Sequence, residues 1–256
     1  AKISLVIFMA KYFHKLNVEK TIGLFKSILP LIVSVIFFVL VAIQPDLGTA
    51  VIILALGLVV IFYAGIKLIY PLISIGIILS ISPILWTFLK PYQQNRIQIF
   101  LNPDLDPLGR GYHIIQSKIA IGSGGLKGNG FLEGSQSSLD FLPEKETDFV
   151  FSIFSEQFGF TGSILLISLF FIMFLIPVLK TFKLTQAFNK IILFVLSFKI
   201  FFEFLINISM TIGILPVVGV ALPFMSYGGS SLLSNLIICA LLLNFMSINE
   251  KKRMFS

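Results

Sequence analysis

Long apolar runs, parted by short polar connections and one long polar stretch, set the plan of this chain. The first run, Ile3 to Ala10, is far shorter than the roughly 20 residues a membrane-crossing helix needs, and it reads as the end of a span whose start, with further spans, lies upstream. Ser27 to Gln44, Thr49 to Gly65 and Leu68 to Leu89 read as the next three spans, with Pro30 tolerated in a first turn and Pro83 a kink. Phe160 to Leu179, Ile191 to Leu215 and Gly228 to Ser247 complete about seven. The connections alternate in charge. Lys11, Lys15, Lys20 and Lys26 fall on one side with Lys67, Lys180, Lys183, Lys190 and the Glu250-Lys251-Lys252-Arg253 tail. The Lys-poor turns fall on the other. By the positive-inside tendency the Lys-rich side is cytoplasmic. The expected fold is an all-α integral membrane protein, a polytopic helix bundle forming a single membrane domain over residues 1–256.

Composition agrees. The chain is 57% apolar and 12% charged, whereas soluble domains hold about 45–50% apolar and about 25% charged residues. A net charge of +7 raises nucleic acid as a partner, but the cations gather between apolar runs, so that class is rejected. Cys239 is the one cysteine and His14 and His113 lie far apart, so neither a disulfide within the chain nor a His/Cys metal site is expected.

Residues 90–159 form the large polar segment, on the outer side. It is too long for a structureless loop, so it must be functional or partly folded. Tyr92 to Leu101 is amphipathic and holds Arg96; Asn102 to Gly111 is dense in turn formers; Tyr112 to Ile121 reads as a short helix with Gln116 and Lys118. Gly122 to Gly130, GSGGLKGNG, fails as a dinucleotide fingerprint because Lys127 stands where the third glycine belongs, and no Gly-Lys-Ser/Thr follows for a P-loop. Two readings stay open for it: flexible backbone near a surface, or a backbone nest for an anion with Lys127 and Lys118 nearby.

Asp140, Glu144, Glu146, Asp148 and Glu156 then fall within 17 positions of a chain poor in charge. Thr147 or Asp148 is a candidate N-cap for the helix that follows. Capping explains one acidic residue and not their density, so this cluster is the candidate site. A helix N-terminus stabilises negative charge, which suits Asp148 to accept a proton. Asp46, at the outer end of a span, is either functional at membrane depth or bonds its own backbone in a turn. Lys199 and Glu203, four apart on one helix face, read as an internal ion pair ahead of a transport site. Asn207, Asn235 and Asn244 read as interhelical glue. Pro223 to Ser231, PFMSYGGSS, breaks the chain at the outer interface; its Ser226 and Tyr227 belong either to a half-helix end that receives phosphate or to a simple turn.

IQPDLGTA (Ile43 to Ala50), NRIQIFLNP (Asn95 to Pro103), QSKIAIGSGGLKGNG (Gln116 to Gly130), FLPEKETDFVFS (Phe141 to Ser152) and ILPVVGVALPFMSYGGSSLL (Ile214 to Leu233) resemble the signature stretches of the SEDS family. These are the bacterial shape, elongation, division and sporulation proteins of RodA and FtsW type. TIGILPVVG and LPEKETDF look more like the RodA branch. Ala221 stands where the family often has Pro or Thr. The resemblance implies a ten-span fold of which this chain holds the fourth to tenth spans. It implies a peptidoglycan glycosyltransferase of the bacterial cytoplasmic membrane that polymerises lipid II on the extracytoplasmic side. The family's essential aspartate maps onto Asp148, an acidic position eight residues earlier onto Asp140, and the family lysine of an Ala-Lys-hydrophobic stretch onto Lys2.

That chemistry asks for a base on the acceptor hydroxyl, for which Asp148 is the candidate, and for positive charge at a departing pyrophosphate. Arg96, Lys118 and Lys127 are candidates for the latter, with Lys2 assisting and a divalent cation, magnesium or manganese, as the candidate cofactor. The implied partners are lipid II, the growing glycan strand and a class B penicillin-binding protein. The rival reading is a lipid II flippase, supported by Lys199, Glu203 and the broken outer helix ends. A fragment without its upstream spans is expected to be inactive.

Overall fold

The computed structural model describes residues 1–16, 23–44, 46–67, 69–70, 73, 76, 80, 86–87, 91–107, 109–131, 133–134 and 146–254. Its regular elements are helices: α1 Lys2–Lys15, α2 Leu24–Ile43, α3 Leu47–Tyr63, α4 Pro91–Leu101, a 3-10 turn Pro103–Leu105, α5 Arg110–Ser123, α6 Val150–Thr181, α7 Ala187–Thr211 and α8 Gly229–Met254. Among the described residues, four helices are long and apolar enough to cross a membrane: Phe25–Ile43, Val150–Thr181, Ala187–Thr211 and Gly229–Ser247. Leu47–Tyr63 is a shorter apolar helix. The fold is all-α and that of a multi-pass membrane protein. Most of the expected span Leu68 to Leu89 lies outside the described residues.

The chain divides into two compact units. The first comprises Ala1–Ser82, Met173–Phe201 and Leu233–Ser256. In it α1 buries Leu5, Val6, Met9, Ala10 and Phe13, a set recurring at three to five residues and therefore one helix face. α2 begins at Leu24, earlier than its apolar pattern suggested, so Pro30 lies inside the helix rather than in its first turn. Proline has no N–H, so the Lys26 carbonyl one turn back loses its helical donor. The Tyr12 hydroxyl replaces it, donating to that carbonyl at 3.0 Å. At the start of α3 the Asp46 carboxylate accepts from the Thr49 amide at 3.0 Å, an N-cap bond.

Stacked aromatic pairs pack this unit, Tyr63 on Phe194 with ring centroids 4.4 Å apart and Phe174 on Phe201 at 4.8 Å. Lys199 is buried, and its ammonium donates to Asn235 Oδ1 at 2.6 Å. Glu203, assigned to the other unit, is buried too.

The second unit comprises Pro83–Ile172 and Phe202–Leu232. It contains the polar stretch, of which α4, α5 and the start of α6 are helical. α6 begins at Val150, ten residues before the apolar run suggested, because it is two helical segments joined across a kink at Gly159 (φ 64°, ψ −164°). The pattern extended the next span to Leu215, but α7 ends at Thr211, and the Pro/Gly-rich turn to α8 starts there.

Candidate functional site

Three elements of the second unit meet at one buried hydroxyl. Ser117 of α5 is fully buried and donates to the carbonyl of Thr211, the last residue of α7, at 2.7 Å. Its oxygen lies 2.6 Å from Ser152 Oγ in the first turn of α6. A hydroxyl has one hydrogen, so Ser152 donates to Ser117.

The glycine stretch after α5 repairs the break in α6. At Gly159 the helical bonds from Phe160 and Thr161 to the carbonyls of Glu156 and Gln157 are lost. Asn129 and Gly130 donate to those two carbonyls instead, at 3.0 and 3.2 Å. Phe160 and Thr161 donate in turn to the carbonyls of Gly125 and Leu126, at 2.9 and 3.1 Å. The amide of Gly128 donates to the Gly124 carbonyl. The amides of 128–130 are therefore directed at protein carbonyls, and an anion nest is left without those donors. Lys127 stands exposed on this turn.

Immediately before α6, three successive carbonyls are held by α7 and by the turn that follows it. The Tyr227 amide donates to the Glu146 carbonyl at 2.7 Å. The Ser226 hydroxyl donates to the Thr147 carbonyl at 2.5 Å and accepts from the Leu222 amide at 2.7 Å. The Asn207 side-chain amide donates to the Asp148 carbonyl at 3.0 Å and to the Val220 carbonyl at 2.8 Å. Asn207 is fully buried. Val150 is the first helical residue, so the N-cap position falls on buried Phe149, whose carbonyl accepts from Ser152 and Ile153, rather than on Thr147 or Asp148. Asp148 is half-buried. Its carboxylate lies beside Gly219, where a Cβ would come 3.7 Å from Oδ2. Between these contacts Phe224 holds φ at 65°, a left-handed conformation that a bulky side chain rarely adopts.

Ser226, through its hydroxyl, and Tyr227, through its amide, are thus brought to the two residues before Asp148; Tyr227 is 79% exposed. Lys118, exposed on α5, runs over Gly213, where a Cβ would lie 2.2 Å from Lys118 Cε and 2.6 Å from its nitrogen. Gln116 is half-buried on α5 and Arg96 half-buried on α4. Lys2 and Asp46 belong to the other unit. Asp140 and Glu144 lie outside the described residues. Among the described residues no group of three or more His, Cys, Asp or Glu side chains offers a cage for a metal ion. Asn207 had no such role in the pattern, because an Asn in an apolar run looks the same whether it joins helices or holds a loop.

The FtsW/RodA/SpoVE family profile, described as a cell cycle protein, matches residues 1–251. The peptidoglycan glycosyltransferase MrdB of Escherichia coli strain K12 is 44% identical over 220 residues, 85% of this chain and 58% of that protein. The probable peptidoglycan glycosyltransferase FtsW of Borreliella burgdorferi is 37% identical over 243 residues, 95% of this chain and 66% of that protein. This chain therefore spans a little under two thirds of the length of these relatives. A solved structure described as structural coordination of polymerization and crosslinking by a peptidoglycan synthase complex superposes with a TM-score of 0.77 at 30% identity, over 96% of this chain and 68% of that one. With a family match over nearly its whole length, the chain belongs to the FtsW/RodA/SpoVE family of cell cycle proteins.

Proposed function

We propose that the full protein to which this chain belongs is a peptidoglycan glycosyltransferase that polymerises lipid II, with Asp148 as its base. Supporting this reading are the names of the relatives, MrdB and FtsW, as peptidoglycan glycosyltransferases. The observation that carries it is the treatment of Asp148. The backbone at 146–148 is held carbonyl by carbonyl, while the Asp148 side chain stays half exposed beside a glycine. A rigid backbone under an accessible carboxylate is what proton abstraction in a fixed geometry requires.

In the proposed reaction the acceptor sugar hydroxyl loses its proton to Asp148 as its oxygen attacks the anomeric carbon of the donor. The bond from that carbon to the undecaprenyl pyrophosphate breaks, and the electron pair leaves with the pyrophosphate. The anomeric configuration inverts. Pyrophosphate leaves without help from a second acid of the glycosidase kind, so one carboxylate suffices. Lys118, Arg96 and Lys127 are the cations proposed to receive the leaving charge. Magnesium or manganese is the proposed cofactor at the departing pyrophosphate. Chemistry is placed on the outer face of the bacterial cytoplasmic membrane, and a class B penicillin-binding protein is the proposed partner.

The test uses full-length protein in proteoliposomes with lipid II on the outer leaflet only. Glycan formed by the wild type and lost in Asp148→Asn is the expected result. Wild-type polymerisation by Asp148→Asn would remove Asp148 from the role. Lipid II movement without glycan would favour a flippase.

A further inference from the structure

We infer that Asn207 is a positioning residue for Asp148, an inference that rests on the glycosyltransferase reading above. Asn207 lies 59 positions away on α7, outside every signature stretch that carried the family resemblance. Its side-chain nitrogen has two hydrogens, and both are used: one on the Asp148 carbonyl at 3.0 Å, one on the Val220 carbonyl at 2.8 Å. The residue is fully buried, so water does not compete for either bond. The two carbonyls belong to the two strips of chain that flank the Asp148 carboxylate. One is the acid's own backbone. The other is one residue from Gly219, whose Cα faces Oδ2. A single planar amide thus sets the distance between the acid and the wall beside it.

Gln carries the same amide, but one methylene farther from the backbone. Ser offers one hydrogen and Leu none. An ionised Asp presents oxygen to two carbonyl oxygens. The neighbouring bonds from Ser226 and Tyr227 hold residues 147 and 146, leaving the acid's own carbonyl to Asn207. Loss of the fork therefore removes a restraint from the residue whose placement the reaction needs. Misplacement of a reacting group by about 1 Å costs about 100-fold in rate.

The experiment compares wild type, Asn207→Leu and Asp148→Asn in full-length protein, with lipid II polymerisation resolved into kcat and KM and with amide hydrogen exchange followed by residue. In Asn207→Leu, kcat falls about 10- to 100-fold while KM stays within about 2-fold. Exchange quickens at the amides of Ser152, Ile153 and Tyr227, which report the start of α6 and the clamp. It is unchanged at Asn129 and Gly130, which report the glycine turn. Wild-type kcat in Asn207→Leu beside an inactive Asp148→Asn overturns this inference alone. An active Asp148→Asn overturns the glycosyltransferase base instead. Quickened exchange throughout the glycine turn as well would reduce Asn207 to general packing and overturn its positioning role. Asn207→Asp keeps the volume and removes both donors, and it carries the same expectations where Asn207→Leu does not accumulate.

Discussion

Gly159 and Gly128 meet backbone to backbone. A Cβ on Gly159 would lie 2.3 Å from the Gly128 nitrogen, and one on Gly128 would lie 2.1 Å from the Gln157 carbonyl oxygen. Both residues hold positive φ, 64° and 83°. Gly159→Ala therefore meets strain and collision together. At φ 64° and ψ −164° the backbone lies where essentially only glycine goes, at a cost to alanine of about 1–3 kcal/mol, and the four exchanged bonds between residues 125–130 and 156–161 must open to make room. A fall in the thermal midpoint in detergent is expected, with exchange quickening first at Asn129 and Gly130. An unchanged midpoint would mean that the turn is not anchored as described.

Ser117 ties α5 to α6 and α7 through one oxygen. Ser117→Ala leaves the Thr211 carbonyl and the Ser152 hydroxyl without it, and buried groups left unpaired cost about 1–3 kcal/mol. Ser117→Ala and Ser152→Ala should not add, since the second loses a bond the first has already removed. Chemical unfolding of the two single variants and the double variant measures the coupling; strict additivity would contradict the shared hydroxyl.

Tyr12 and Pro30 should be coupled although they do not bond to each other. Tyr12→Phe withdraws the donor from the Lys26 carbonyl, at a cost of about 0.5–1.5 kcal/mol for one hydrogen bond. Pro30→Ala restores the helical N–H to that same carbonyl. In the Pro30→Ala background Tyr12→Phe should therefore be close to neutral. Equal losses in both backgrounds would show that the tyrosine does not stand in for the missing amide.

Asp148→Asn keeps the shape of the side chain and removes its basicity. Polymerisation should fall by about 100- to 10,000-fold, the usual contribution of a general base, with the thermal midpoint close to wild type. Asp148→Glu moves the carboxylate outward by one methylene and should recover part of the rate at most. Initial rates with lipid II, measured on full-length protein, distinguish these outcomes.

The apolar runs made the spans legible because burial in lipid leaves a long, uninterrupted record in the sequence. They misplaced the start of α6, since Val150 to Phe158 is helical and half apolar while the break at Gly159 looks like an ordinary helix end. The acidic stretch and PFMSYGGSS both stood out, but as two separate features. Nothing local says that the Ser226 hydroxyl and the Tyr227 amide are used on the carbonyls of Thr147 and Glu146. The glycine turn was misleading for the same reason: glycine admits a close backbone and a bound anion equally, and only the partner strand decides. Asn207 was the least legible, because its whole role lies in bonds to carbonyls 59 and 13 positions away.

The clamp on residues 146–148 also bears on how the protein is made. Its donors, Asn207, Ser226 and Tyr227, leave the ribosome long after the acceptors they hold. While the nascent chain is still being threaded into the bilayer, the acid's peptide has none of these three restraints. A polypeptide stalled before residue 227 would carry Asp148 without a formed site. The peptide that carries Asp148 is thus fully held only once the chain has been made past residue 227.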